Sequence, residues 1–547
     1  MKTLILIILL IPILLSGQNK INNISQTEIT KTSFQLSWES TEKGIPAIQY
    51  GLTKELEFGI VHGNSVNPIN HRAKLINLNP ATFYFARPVL INNKDTLFGK
   101  IELYSTQSNS TGVINVIFNK GVDSTYSSGQ SPYIASGGNN IKDEIINMIN
   151  QATSTIDIAL YNNSRAAIVS ALTAAHNNGI RVRYIANIGT SNYALDPAPP
   201  FPVFYVNPND HMHNKFMLID VDSVNQSWVW TSSMNWTYTD MYNNYNNCLA
   251  IQDQALAQAY TLEFEEMWGS SSVNYDSTLS KVGSQKTDNT PHTFNIGGRT
   301  IELYFSPGDN TTSKIESALN SADYDLEFCL FSFTRNDLGA AVINAHNSGV
   351  LEHGLMQNIN DIGSEYNLLV SEGVNILADN HSFALHHKYA IIDAGNSLSD
   401  PQVITGSHNW TTAAEEDNDE NTLIIHDAAI TNLYVQEFSL RWCEVKNNSN
   451  CNLPFTTSSQ IINDTQQELI LFPNPIKNEA TIRFEHICPS KLVAKLFNVS
   501  GQLIDQFEYD SHQKEYYLDF SSINTGLYYL IIKTDNKSWQ QPISISK

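Results

Sequence analysis

The stretch HMHNKFMLID, beginning at residue 211, returns 173 residues later as ALHHKYAIID. His213 falls on His386, Lys215 on Lys388 and Asp220 on Asp393. Two further matches run in step with this one. AAHNNGI at 174–180 pairs with NAHNSGV at 344–350, and TSSMNWT at 231 with TGSHNWT at 405. The offset stays between 170 and 174 residues over the whole repeat, so insertions are confined to loops and the chain holds one folded unit twice.

The order within each copy is that of an α/β unit. IKDEIINMINQATSTIDIALY reads as an amphipathic helix running into a buried strand, and SRAAIVSALTAAHNNGIRVRYIANIG as a helix stopped by Asn-Asn-Gly and then a strand. SKIESALNSADYDLEFCLFSFT and DLGAAVINAHNSGVLEHGLMQNI repeat that order. The spacing predicts half 1 over 112–268, a polar joining tract over 269–298 and half 2 over 299–446.

Outside the repeat the periodicity changes from helical to alternating. Within 18–108, SFQLSWES, AIQYG and TFYFARPVL alternate apolar and polar residues between turns, and the stretch from LILFPNPIKNEATIRFE to the end does the same. Each predicts a β-sandwich, the second over 469–547 after a polar tract at 447–468. At the start, MKTLILIILLIPILLSGQNK has a lysine, an apolar run from Leu4 to Leu15 and then Ser16 and Gly17. This predicts a signal peptide over 1–17, cut before Gln18, because the run is short for a membrane span.

Of the five cysteines, Cys443 and Cys451 flank a short polar stretch and are expected to form a local disulfide. Cys248 and Cys329 sit in apolar segments and read as core residues, and no Cys/His spacing suggests zinc.

The chemistry lies in the repeated motif. One His-x-Lys beside an apolar strand could be an ordinary core strand with polar ends, but two copies at equivalent places could not arise so simply. Each is followed by a small-residue turn, Ser233 and Asn235 in TSSMNW, Ser407 and Asn409 in TGSHNW. Such turns present hydroxyl, amide and backbone N–H donors that suit phosphate oxygens, and lysine adds charge.

His-x-Lys, four residues, Asp, then Gly-Ser-x-Asn resembles the phospholipase D superfamily over roughly 112–446. The resemblance implies a multidomain protein whose core is a duplicated α/β unit, two mixed sheets flanked by helices, between N- and C-terminal β-sandwiches. It implies a phosphoric diester hydrolase, complete in one chain, that uses no cofactor or metal, and the leader makes it a secreted one. His213 attacks phosphorus, His386 serves as acid and then base, and Lys215, Lys388, Asn235 and Asn409 hold the non-bridging oxygens, with Ser233 and Ser407 binding substrate. Glu420, where half 1 has Asn246, is expected from the family pattern to orient the histidine of its own half, His386. The tyrosyl-DNA phosphodiesterase branch shows a comparable amide and carboxylate asymmetry. Asp220 and Asp393 are expected to be structural. Ser232 stands where the second turn has Gly406.

Two further resemblances flank the core. Leu78, Pro80, Thr82 and Tyr84 in LINLNPATFYFARP resemble the end of a fibronectin type III module. Phe472, Pro473, Asn474 and Pro475, then Asn498 to Gly501, then Gly526, Tyr528 and Lys533, resemble the C-terminal sorting domain of the type IX secretion system. That implies export by the type IX machinery and release or attachment at the outer surface.

Between residues 112 and 446 there are 37 Asp plus Glu against 14 Lys plus Arg, a net charge of −23. A nonspecific nuclease needs a basic track to displace counterions, so this charge disfavours nucleic acid and leaves phospholipid as the expected substrate class. An extracellular endonuclease and a catalytically silent surface-binding protein are the alternatives. Trp228, Trp230, Trp236, Tyr238, Tyr242 and Trp410 near the motifs are expected to pack in the core, and the acidic run EEDNDE at 415–420 to be a solvated loop rather than a calcium site.

Overall fold

The computed structural model describes residues 21–446 and 469–545, apart from residues 68, 93–94, 127–135, 139, 208–210, 397–398, 473–475, 485–491, 499–502, 510–512 and 534–537. The leader expected at 1–17, the tract at 447–468, the Pro473–Pro475 motif and Cys451, with its expected disulfide, lie outside the described residues. Among those described, no helix is long and apolar enough to cross a membrane.

The chain divides into two compact units, Met1–Ser458 and Ser459–Lys547. The first begins with a sandwich of a four-stranded and a five-stranded sheet. Its alternation is literal: in Ser33–Ser40, Phe34, Leu36 and Trp38 point inward and are 2% exposed or less. They meet Ile48, Tyr84 and Leu90 of the facing sheet.

The two repeats fold into eight-stranded mixed sheets that share seven strands in the same order and differ at one edge, where Ser136–Gly137 follows and runs parallel to its neighbour in the first and Thr293–Ile296 precedes and runs antiparallel to its neighbour in the second. In the first, Thr155–Leu160 lies between Arg181–Asn187, parallel to it, and Lys215–Ile219, antiparallel; in the second, Asp325–Leu330 lies between Leu351–Met356 and Lys388–Ile392 in the same senses. The motif strands read as unbroken apolar runs because both faces are covered. Phe216 and Leu218 enter one core while Met217 and Ile219 enter another. The first of these cores is shared by the halves, since it also holds Phe305, Tyr389 and Ile391. Helices Gln254–Trp268 and Ala428–Val445 fill it, and each is capped by an aspartate side chain, Asp253 on Leu256 N at 2.9 Å and Asp427 on Ile430 N at 2.8 Å. Cys248 and Cys329 are buried in the cores, as expected.

The tract at 269–298 is more than a joint. It ends in the strand Thr293–Ile296, the edge of the second sheet, with Phe294 and Ile296 buried. Four residues of alternation inside a polar stretch are too few to stand out in the sequence.

The second unit holds a three-stranded and a four-stranded sheet around Ile482, Leu496, Tyr516, Leu530 and Ile543.

Candidate active site

Each motif histidine sits on the residues leading into its strand, and that lead-in is stitched to the other half. His213 N donates to Asp419 O at 3.0 Å and Asp419 N to His211 O at 3.2 Å. In mirror fashion His386 N donates to Tyr245 O and Tyr245 N to Ala384 O, both at 2.9 Å. The residue after each stitch, Glu420 or Asn246, therefore faces the histidine of the opposite half.

This corrects the expected pairing. Glu420 Oε1 lies 2.6 Å from His213 Nδ1, and His386 Nδ1 instead meets Asn246 Oδ1 at 3.0 Å. The next residues repeat the crossing: Asn421 Nδ2 donates to Asn214 Oδ1 at 2.8 Å, and Asn247 Oδ1 lies 3.1 Å from His387 Nδ1. Sequence position alone ties Glu420 to its own motif; the backbone seam ties it to the other.

The partners fix which ring nitrogen works. Glu420 is buried, and burial, which would raise its pKa, is outweighed by His213 and Lys215, so it stays a carboxylate. A carboxylate only accepts, so His213 Nδ1 carries hydrogen and Nε2 bears the lone pair. Asn246 Nδ2 donates to Asp240 O at 3.0 Å, a backbone carbonyl, which leaves Asn246 Oδ1 as the acceptor for His386 Nδ1–H. Nε2 is again the free nitrogen.

Lys215 and Lys388, 1% and 2% exposed, donate to the carbonyls of His213 and His386 at 2.6 and 3.0 Å. Burial holds Lys215 down at about 8 and Lys388 at about 7, the latter helped by Lys215. Burial also holds His213 down at about 4 against the pull of Glu420, and His386, pressed by burial and both lysines, lies well below its usual value. Both histidines and both lysines thus act on one another, and four groups from two halves form a single anion-seeking cluster. Tyr161 and Phe331, at equivalent strand ends, set their ring edges against His213 and His386 at 4.9 and 4.7 Å. Lysines lie over the same rings at 5.5 and 5.2 Å. These aromatics were not singled out from the sequence, although the repeat alignment of LY at 160 with LF at 330 would have found them.

The turn residues divide. Ser233 and Ser407 are fully buried, and their hydroxyls are engaged beneath the site, Ser233 Oγ donating to Asn246 Oδ1 at 2.9 Å and Ser407 Oγ accepting from Asn421 N at 3.1 Å. They brace the residues that hold the histidines rather than facing a substrate, which corrects their expected role. Asn235 gives both its N and Nδ2 to Asp240 Oδ2, at 3.0 and 2.8 Å. Among the described residues, the buried Oδ1 atoms of Asn235 and Asn409 have no hydrogen-bond partner. Gly406 has φ +145°, and a Cβ there would meet Asn421 O at 2.2 Å, whereas Ser232 fits the first turn with its Oγ on Met234 O at 3.1 Å.

Asp220 and Asp393 stay outside the site. Asp220 accepts from the N atoms of Thr153, Ser154 and Thr155 at 2.7 to 2.9 Å, and Asp393 from those of Asp323, Tyr324 and Asp325. Each takes a left-handed backbone that aspartate tolerates, φ +48° and +55°. The run at 415–420 is not a solvated loop: Glu415 accepts from Thr312 N at 2.8 Å, Asp419 from Gly283 N at 2.8 Å, and Glu420 holds His213. Trp230, Trp236 and Trp410 pack in the core, while Tyr238 is 58% exposed.

Residues 145–268 and 315–442 match the family described as cardiolipin synthase, PLD-like domain, and residues 470–546 the secretion system C-terminal sorting domain. A mitochondrial cardiolipin hydrolase from Canis lupus familiaris is 36% identical over 143 residues, covering 25% of this chain and 52% of that protein. Its counterpart from Mus musculus is 36% identical over 142 residues, covering 25% of this chain and 60% of that protein. The chain thus spans little more than half the length of these relatives. Among solved structures, phosphatidylserine synthase from Haemophilus influenzae aligns with 59% of this chain and 84% of its own at 14% identity and a TM-score of 0.40. Nuc from Salmonella typhimurium, a phospholipase D family member, covers 26% of this chain and 94% of its own at 24% identity and a TM-score of 0.23. The sorting domain directs the chain to type IX secretion, to the cell surface or beyond. The chain thus carries a PLD-like domain twice, at residues 145–268 and 315–442.

Proposed function

We propose that the protein is a secreted phosphodiesterase that hydrolyses phospholipids through a phosphohistidine. The observation that carries this is the unequal bracing of the two histidines, a carboxylate on His213 and an amide on His386.

His213 Nε2 attacks phosphorus and the bond to the leaving oxygen breaks, with the displaced oxygen taking a proton from His386 Nε2. The attacking ring becomes cationic, and Glu420 at Nδ1 stabilises that charge where an amide would do so less. In the second step His386 Nε2 removes a proton from water, the water oxygen bonds to phosphorus and the P–N bond breaks. Without substrate His386 is neutral; the phosphodiester anion raises its proton affinity on arrival, and Nε2 takes up from solvent the proton that it then gives to the leaving oxygen. Lys215 and Lys388 balance the non-bridging oxygens, joined by the amides of Asn409 and, beside Asp240, Asn235. The roles first expected of His213 and His386 are kept, on a different partner for Glu420.

Phospholipid is favoured over nucleic acid by the net charge of −23 over residues 112–446 and by the likeness to cardiolipin hydrolases. The N-terminal sandwich is read as a fibronectin type III-like module, and residues 1–17 as a signal peptide. The test is one assay of purified protein with chelator present, on phosphatidylcholine, cardiolipin and single-stranded DNA in parallel. Release of phosphatidic acid or headgroup supports the reading. Cleavage of DNA alone would make the protein an endonuclease, and no turnover on any substrate would make it a silent surface protein.

A further inference from the structure

A cavity of about 900 Å³ opens between the N-terminal sandwich and the second half of the core, and none of the residues described above as the active site lines it. Five carboxylates line it against two lysines. In its wall Asp288, His292 and Asp309 bring one ligand atom each within 4.8 Å of one another.

The histidine geometry gives this cluster a meaning beyond its charge. His292 Nδ1 lies 3.0 Å from the carbonyl oxygen of Leu303, which can only accept, so Nδ1 carries the hydrogen. Nε2 then points its lone pair at Asp288 Oδ1, 3.2 Å away, and that oxygen also only accepts. Two acceptors cannot face each other unaided: either Nε2 takes a second proton and the contact is an imidazolium–aspartate ion pair, or a metal ion stands in that proton's place. A ligating histidine that gives its other N–H to a backbone carbonyl is the usual second shell of a metal site. With metal bonds of about 2.0–2.1 Å, two ligand atoms on one edge of the coordination shell stand roughly 3.0–3.4 Å apart, and the observed 3.2 Å fits that edge.

The other donors lie close to this contact. Lys100 of the sandwich occupies Asp288 Oδ2, not Oδ1, at 3.0 Å. Asp309, with a side chain 3% exposed, accepts from Phe305 N at 2.7 Å through Oδ2, which also lies 3.9 Å from His292 Nδ1. Thr290, 2% exposed and in the same cavity wall, has a hydroxyl without a hydrogen-bond partner among the described residues.

We propose that Asp288, His292 and Asp309 bind a divalent first-row ion, zinc or manganese, at the seam between the sandwich and the core. Two carboxylates and one imidazole suit such ions, whereas calcium prefers an all-oxygen shell. The ion is structural. It ties the tract ahead of Thr293–Ile296 to the turn after Arg299–Ser306, and through Asp288 to Lys100 of the sandwich.

The test uses the full chain, stripped with chelator and titrated with cobalt(II), whose visible absorption reports the ligand shell. One equivalent should bind, zinc should displace it, and either ion should raise the melting temperature. Asp309→Asn, whose amide oxygen still accepts from Phe305 N, and His292→Gln should each weaken binding about 10- to 100-fold. His213→Ala should bind as the natural protein does, which separates this site from the active one. No cobalt band and no thermal shift in the natural protein, or equal affinity in Asp309→Asn, overturns the proposal. If His292→Gln does not fold, Asp309→Asn decides alone.

Discussion

Glu420 Oε1 rests 2.6 Å from Nδ1 of His213, a residue 207 positions earlier and in the other half of the core. The carboxylate fixes the tautomer and, in the proposed mechanism, faces the ring that becomes cationic on attack. Glu420→Gln should therefore lower turnover by roughly a hundred- to ten-thousandfold, as loss of a tautomer-fixing carboxylate does elsewhere. Asn246→Asp, on the other histidine, should leave attack intact. Steady-state rates of both variants check this, and a larger loss in Asn246→Asp than in Glu420→Gln would exchange the two histidine roles.

His386→Ala should still attack a substrate whose leaving group needs no proton, such as a nitrophenyl phosphodiester, and then stall with phosphate on His213 because no base activates water. His213→Ala should form no adduct. Mass spectrometry of acid-labile phosphopeptides reads the outcome. An adduct on His386 in the His213 variant would reverse the assignment.

Protonation sets the working range. His213 is held at about 4, so below that pH the attacking nitrogen takes a proton and turnover is lost. Lys388 and Lys215 lose charge as pH rises through about 7 and about 8, so affinity for inorganic phosphate should fall across that interval. Lys388→Met should bind phosphate weakly and lose the lower of these two steps. Phosphate itself, being an anion, should move the His213 titration upward in histidine NMR. A His213 titration near its ordinary value and unmoved by phosphate would refute the buried-cluster account.

Chelation separates chemistry from architecture. With EDTA present and temperature well below the melting point, the rate on a nitrophenyl phosphodiester should stay nearly unchanged, because histidines and lysines fill the roles that metals fill elsewhere. A rate that collapses with EDTA and returns with zinc while the melting temperature stays constant would place a metal in the reaction itself.

Asp220→Ala removes the acceptor for three backbone N–H groups at the start of the strand Thr155–Leu160. Leaving them unpaired should cost about 3 kcal/mol of stability. Activity per folded molecule should change little, and denaturant melts paired with rates check both halves of that statement.

Most of the architecture was legible because the repeat prints it twice. Matching offsets in three motifs could only mean two copies of one α/β unit, and period-2 alternation announced the sandwiches. Histidine and lysine positions were legible for the same reason. The cross-half pairing was not, since nothing in the linear order says that Asp419 N will bond His211 O; only the closed seam does. The roles of Ser233 and Ser407 were misread because a hydroxyl beside a phosphate and one beneath its neighbours look identical in sequence. Asp419 and Glu420 look like a solvated charge run until Lys286 and His213 are seen against them.

The shared inner core, filled from both sides by Gln254–Trp268 and Ala428–Val445, has a consequence for how such a site can specialise. If two identical chains met across that core, every substitution would appear on both sides of the axis at once, and no histidine could differ from its twin. Joining the copies in one polypeptide lifts that constraint. Asparagine at 246 and glutamate at 420 can then diverge independently, and the choice of which ring attacks is written into the covalent chain instead of being drawn afresh at each turnover.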